Sequence, residues 1–121
     1  MRLLIADDSE ILRTRLCEML SEIEGITIVG QAKNCPSCVE AVQNLKPDVV
    51  ILDIRIPGGD GIMALETIKK FDHAPKVIMF TNYPYLQYRK RCLDMGADFF
   101  FYKANEFEQL VNAVRELVVA V

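Results

Sequence analysis

At 121 residues the chain has the length of one compact domain and can bury a real core. A composition 51% apolar and 26% charged excludes the disordered class, and a net charge of −3 with a pI near 5.1 argues against nucleic-acid binding by the domain as a whole. No apolar stretch reaches the span of a bilayer and "MRLLIADD" lacks the pattern of a signal peptide, so the expected setting is cytoplasmic, with no membrane partner.

Short continuous apolar runs alternate with segments of helical period, without a linker or repeat. "LLIA" (3–6) is the first expected strand. Ser9 then caps a helix from Ile11 to Ile23, with apolar residues at 11, 12, 16, 19, 20 and 23. "ITIV" (26–29) is the second strand, ending in Gly30 at the sheet edge. Asn34 caps the next helix, in which Val39, Val42 and Leu45 repeat until "KPD" stops it. "VVIL" (49–52) follows, and Asp60-Gly61 opens a third helix carrying Ile62, Leu65 and Ile68. After "VIMF" (77–80), Pro84 suits the first turn of a fourth helix that ends at Gly96. "FFFY" (99–102) is the last strand, and Leu110, Val111, Val114, Leu117 and Val118 mark the last helix.

Strands apolar on both faces belong to a parallel sheet covered by helices on each side. The expected architecture is therefore one α/β domain over residues 1–121. It is a doubly wound, flavodoxin-like (βα)5 fold of strand order 2-1-3-4-5. In such sheets ligands bind beyond the carboxyl ends of the strands, near the switch in strand order. Four strands end there in polar groups: Asp7-Asp8, Asp53, Thr81 and Lys103.

Three carboxylates held together repel one another unless a cation joins them. Magnesium takes one or two carboxylates and completes its shell with water and phosphate oxygens. An ammonium and a hydroxyl beside that ion suit a phosphoryl group, and a carboxylate can be the nucleophile that accepts it. Asp53, at the end of the central strand and followed by the tight turn Pro57-Gly58-Gly59-Asp60-Gly61, is the candidate for that role.

With "ADDS", "VVILDIRIPGGDG", "FTN" and "GADFFFYK" each at the end of an expected strand, the chain resembles the receiver domain of two-component response regulators. The likeness covers essentially all 121 residues. It implies that Asp53 accepts a phosphoryl group from a phosphohistidine on a sensor histidine kinase or phosphotransfer protein. Mg2+ would be bound by Asp8 directly, by Asp7 mainly through water, by Asp53 and by the backbone carbonyl of Arg55. Thr81 and Lys103 would contact the phosphoryl oxygens. Thr81 moving toward the phosphate, with Phe100 turning into the space left, would change the surface of helix four, strand five and helix five. Downstream, the resemblance implies an effector protein or an attached output domain, with the likeness of "ITIVGQA" to receivers joined to DNA-binding domains pointing to the latter. The chain would assist its own phosphorylation and dephosphorylation without other turnover. Two residues depart from the family pattern. Ala104 stands where proline is common after the lysine, and a cis bond there would cost roughly 3 kcal/mol, so a trans bond or a strained loop is expected. Phe100 replaces a frequent tyrosine and has no hydroxyl. Arg55 and Tyr83, two positions after Asp53 and Thr81, are expected to overlook the phosphoryl group and hinder an attacking water.

Other motifs carry rival readings. Cys35-Pro-Ser-Cys38 has thiol-redox spacing, but lies at the edge strand and lacks a second ligand pair for zinc, so helix-start residues are the default. An aspartyl-nucleophile phosphohydrolase would want Asp-x-Asp after the first strand, which "ADDSE" lacks. "YLQYRKRC" (85–92) mixes aromatic and basic residues, and in an acidic domain it reads as a solvated helix face offering a protein partner or homodimer contact. The ending "ELVVAV" fits a stand-alone receiver or the front of a longer regulator.

Overall fold

A computed structural model describes residues 1–83 and 85–120; the expectation for Pro84 lies outside the described residues. In chain order the elements are β1 (Arg2–Ala6), α1 (Glu10–Ser21), β2 (Thr27–Ala32), α2 (Cys35–Leu45), β3 (Val49–Leu52), α3 (Gly61–Lys69), β4 (Lys76–Thr81), α4 (Leu86–Asp94), β5 (Phe99–Tyr102) and α5 (Phe107–Ala120). The strands form one parallel sheet of order β2-β1-β3-β4-β5, the flavodoxin-like arrangement expected.

The apolar runs are continuous because alternate side chains enter two different cores. Leu4, Ala6, Val50, Leu52, Val77, Met79 and Phe100 face the core shared with α2, α3 and α4. Leu3, Ile5, Val49, Ile51, Ile78 and Phe80 face the other, closed by Leu16 and Leu20 of α1 and by Leu110 and Val114 of α5. All four residues of β3 are buried, as a central strand requires, whereas β2 at the edge buries only Ala32.

Helix starts follow local chemistry. Ser9, Asn34 and Asp60 each accept a backbone N–H with the side chain, from Leu12, Ser37 and Met63 respectively. Lys46 closes α2 in the left-handed conformation before Pro47.

Three details differ from the periodicity reading. Ile11 is exposed, because α1 begins at Glu10 and presents Leu16 and Leu20 to the sheet. β2 runs past Gly30 to Ala32, its pairing with β1 shifting between Leu3 and Leu4. α4 stops at Asp94, and the left-handed Gly96 lies just beyond it.

Gly61 is fixed by proximity rather than by dihedral angle. Its amide donates to the Ile54 carbonyl at 2.7 Å, and a Cβ there would collide with the backbone of Asp53 and lie 2.8 Å from the Ile54 Cα. Gly61→Ala is therefore expected to lower the unfolding free energy by about 1–3 kcal/mol, the usual range for overpacking, measured by urea denaturation.

Candidate phosphoacceptor and metal site

The parallel register brings distant residues to one end of the sheet. Ala6 pairs with Leu52, Leu52 with Met79, and Thr81 with Tyr102, so the residues just beyond these positions emerge side by side. The ladder continues past the strand ends: the Asp7 amide donates to Ala32, the Asp53 amide to Ala6 and the Lys103 amide to Thr81. The backbones of Asp7, Asp53 and Lys103 are thus pinned by the sheet.

Asp7, Asp53 and Thr81 are the buried polar or charged residues among those described, and all three lie at this end. The Lys103 ammonium donates to Asp7 Oδ2 and to Asp53 Oδ2, both at 2.6 Å. Burial by itself would lower the Lys103 pKa, but the hydrogen bonds to Asp53 and Asp7 more than offset it and hold the ammonium above its ordinary value. Burial pushes the Asp7 carboxyl up, against the opposing pull of Lys103 and of the Ser9 amide, which donates to Asp7 Oδ1 at 2.9 Å.

Asp8 completes the group. One oxygen from each of Asp7, Asp8 and Asp53 lies within 4.8 Å of the others. Among the described contacts both Asp7 oxygens are engaged, while the exposed Asp8 makes no hydrogen bond or ion pair, leaving its carboxylate available. Oxygen-only donors with excess negative charge fit a hard cation such as Mg2+ better than a soft metal.

Thr81 lines the same cavity, of about 510 Å³, as the three aspartates and Lys103; its hydroxyl accepts the Tyr83 amide at 3.3 Å. The Arg55 guanidinium lies 4.9 Å from the Tyr83 ring centroid, so the two side chains expected to overlook the site touch each other. The Arg55 amide approaches Asp53 Oδ1 at 3.3 Å. Phe100 is buried, edge-on to Tyr102 and under the Arg89 guanidinium. No cis peptide occurs among the described residues, so the bond before Ala104 is trans, and the Glu106 carboxylate accepts the Tyr102 amide across this turn.

The cysteines show no sign of redox chemistry. All four are free, and burial raises the thiol of Cys35 and pushes that of Cys38 up to about 12, the reverse of a nucleophilic redox pair. His73 is exposed in the turn before β4. Arg13, missed by sequence reasoning, donates to the Asp7 carbonyl and to Gln31; only the fold brings α1 over the end of β2 and makes that contact visible.

Residues 3–115 match the family model described as the response regulator receiver domain. The chain belongs to this family. It is 38% identical to a protein-glutamate methylesterase/protein-glutamine glutaminase of Alkalilimnicola ehrlichii, over 98% of this chain and 32% of that protein. It is 34% identical to YvfU, an uncharacterized transcriptional regulatory protein of Bacillus subtilis, over 97% of this chain and 58% of that one. The CheX–CheY–BeF3–Mg2+ complex from Borrelia burgdorferi has a TM-score of 0.88 at 31% identity, with 97% of this chain and 88% of the other aligned. The chain spans about a third to just over half of these two curated relatives. As a receiver domain it is a phosphoacceptor switch of two-component signalling, a class that works with histidine kinases and output domains. None of its described helices is long and apolar enough to cross a membrane.

Lys103 bridges the buried carboxylates of Asp7 and Asp53. Lys103→Met is expected to cost about 3 kcal/mol at pH 7, as breaking a buried ion pair does, in urea unfolding with a chelator present. The deficit should shrink as the pH falls and the carboxylates protonate, since their mutual repulsion is its source.

Proposed function

We propose that Asp53 is the phosphoacceptor of this receiver domain. The observation that carries the reading is a buried carboxylate at the end of the central strand, 2.6 Å from an ammonium and flanked by two further carboxylates and a buried hydroxyl. An Asp53 oxygen attacks phosphorus, the P–N bond of a phosphohistidine breaks, and the histidine nitrogen leaves with the electron pair. The donor is a sensor histidine kinase or a phosphotransfer protein.

Mg2+ would be held by Asp8 and Asp53, by Asp7 mainly through water, and by the Arg55 carbonyl. When bound, it neutralises charge on the phosphoryl oxygens. Mg2+ is named with BeF3 in the Borrelia complex, which supports this ion at the equivalent site. Lys103, already cationic and pointing at Asp53, holds a second face of the phosphoryl group. Thr81 reaches the third once its hydroxyl leaves the Tyr83 amide. Phe100, buried between Tyr102 and Arg89, then repacks toward the vacated space and transmits the change to α4, β5 and α5. Its lack of a hydroxyl makes this a packing signal without a new hydrogen bond.

The output is an attached domain or a separate effector protein; a transcriptional output agrees with the name of YvfU, and the acidic charge argues against nucleic-acid binding by this domain itself. The exposed Tyr85, Leu86 and Leu93 of the α4 segment suit a protein contact, including a homodimer. The domain works in the cytoplasm and turns over no substrate beyond its own phosphoryl group.

Incubation with Mg2+ and acetyl phosphate is expected to add one phosphoryl mass to the wild type and none to Asp53→Asn, read by intact-mass spectrometry. Turnover of the donor without mass gain would instead make the protein a phosphohydrolase. Arg55→Ala and Tyr83→Ala are each expected to speed dephosphorylation by about three- to tenfold, equivalent to about 0.7–1.4 kcal/mol of barrier. An unchanged rate in both would show that the Arg55–Tyr83 pair does not shield the acyl phosphate.

A further inference from the structure

Cys35 contacts the turn that follows Asp53. Gly58 and Gly59 have φ of +82° and +137°, and such a glycine pair loses the most backbone freedom when it is held in one shape. Something must tether it. The Cys35 amide donates to the Pro57 carbonyl at 2.8 Å, and the Cys35 thiol donates to the Asp60 carbonyl at 3.2 Å and more weakly to Ile56 at 3.8 Å. These bonds bracket the glycines on both sides. The neighbouring Pro36 ring closes the turn from below, since a Cβ on Gly58 would lie 2.8 Å from its Cδ.

We propose that Cys35 is a positioning residue: its amide and thiol hold the Gly58-Gly59 turn in the shape that presents the Asp53 carboxylate and the Arg55 carbonyl to a divalent cation. The inference rests on the Asp53 reading above. Burial and the nearby Asp60 keep the thiol protonated, and so available as a donor across the physiological pH range. The Cys-x-x-Cys spacing thus has a use unrelated to redox chemistry: Cys38 is a core residue, and Cys35 is a hydrogen-bond clip on the site loop.

The test measures Mg2+ affinity by isothermal titration on unphosphorylated protein, together with amide hydrogen exchange. Cys35→Ala is expected to weaken Mg2+ binding about fivefold, the scale of one neutral hydrogen bond, while Cys35→Ser, which keeps a donor, stays within about twofold of wild type. In the wild type, Mg2+ should slow exchange at the Cys35 amide severalfold, a readout that holds even if the alanine variant does not fold. Equal affinity of Cys35→Ala and wild type, equal losses in the alanine and serine variants, or Cys35 exchange indifferent to Mg2+ would each overturn the assignment to Cys35 while leaving Asp53 as the acceptor. Failure of the wild type to bind Mg2+ at all would overturn the metal-site reading, and this inference with it.

Discussion

The Lys103 ammonium, shared between Asp7 and Asp53 at 2.6 Å, is the contact on which this end of the molecule depends. Each carboxylate would be costly to bury alone, and the two together would repel. The lysine makes that burial tolerable and ties the end of β5 to those of β1 and β3. It does not balance the site, because three carboxylates face one ammonium. The remaining negative charge is what a divalent cation would answer, and the same cation would offset the charge of an incoming phosphoryl group.

The parallel sheet makes this arrangement possible. In-register strands that all run the same way deliver their carboxyl ends to a single rim, and crossover helices keep both faces dry. The interior of the sheet can then be wholly apolar while its rim carries the polar groups. The same alternation gives the proposed switch a route from the rim to a surface. Phe100 lies on the α2–α4 face of β5, next to the strand that ends in Thr81 and under Arg89 of α4. The movement of Thr81 proposed above would have a packed route to α4 without passing through the α1–α5 core.

Around the rim, loop shape is set by contacts between residues far apart in the chain. Gly61 lies against the Asp53 backbone with no room for a Cβ, Arg13 holds the Asp7 carbonyl, and the start of α2 meets the 57–60 turn. The Tyr83, Tyr85 and Tyr88 rings cluster with centroids 5.3–6.2 Å apart, and Tyr83, against Arg55, and Tyr85 line one side of the cavity.

Sequence alone was enough for the strand order, the caps at Ser9, Asn34 and Asp60, and the gathering of Asp7, Asp8, Asp53, Thr81 and Lys103. The caps and the polar rim follow from short polar side chains before helices and from polar residues closing apolar runs, which are local, while the strand order was allowed by the handedness rule for crossovers between parallel strands. It could not show that Ile11 faces solvent, that β2 extends to Ala32 through a register shift, or that Cys35 serves the site loop. Helical phase relative to a sheet, register between strands and hydrogen bonds over 21 or 25 positions exist only once the chain has closed on itself, and tertiary packing alone decides them.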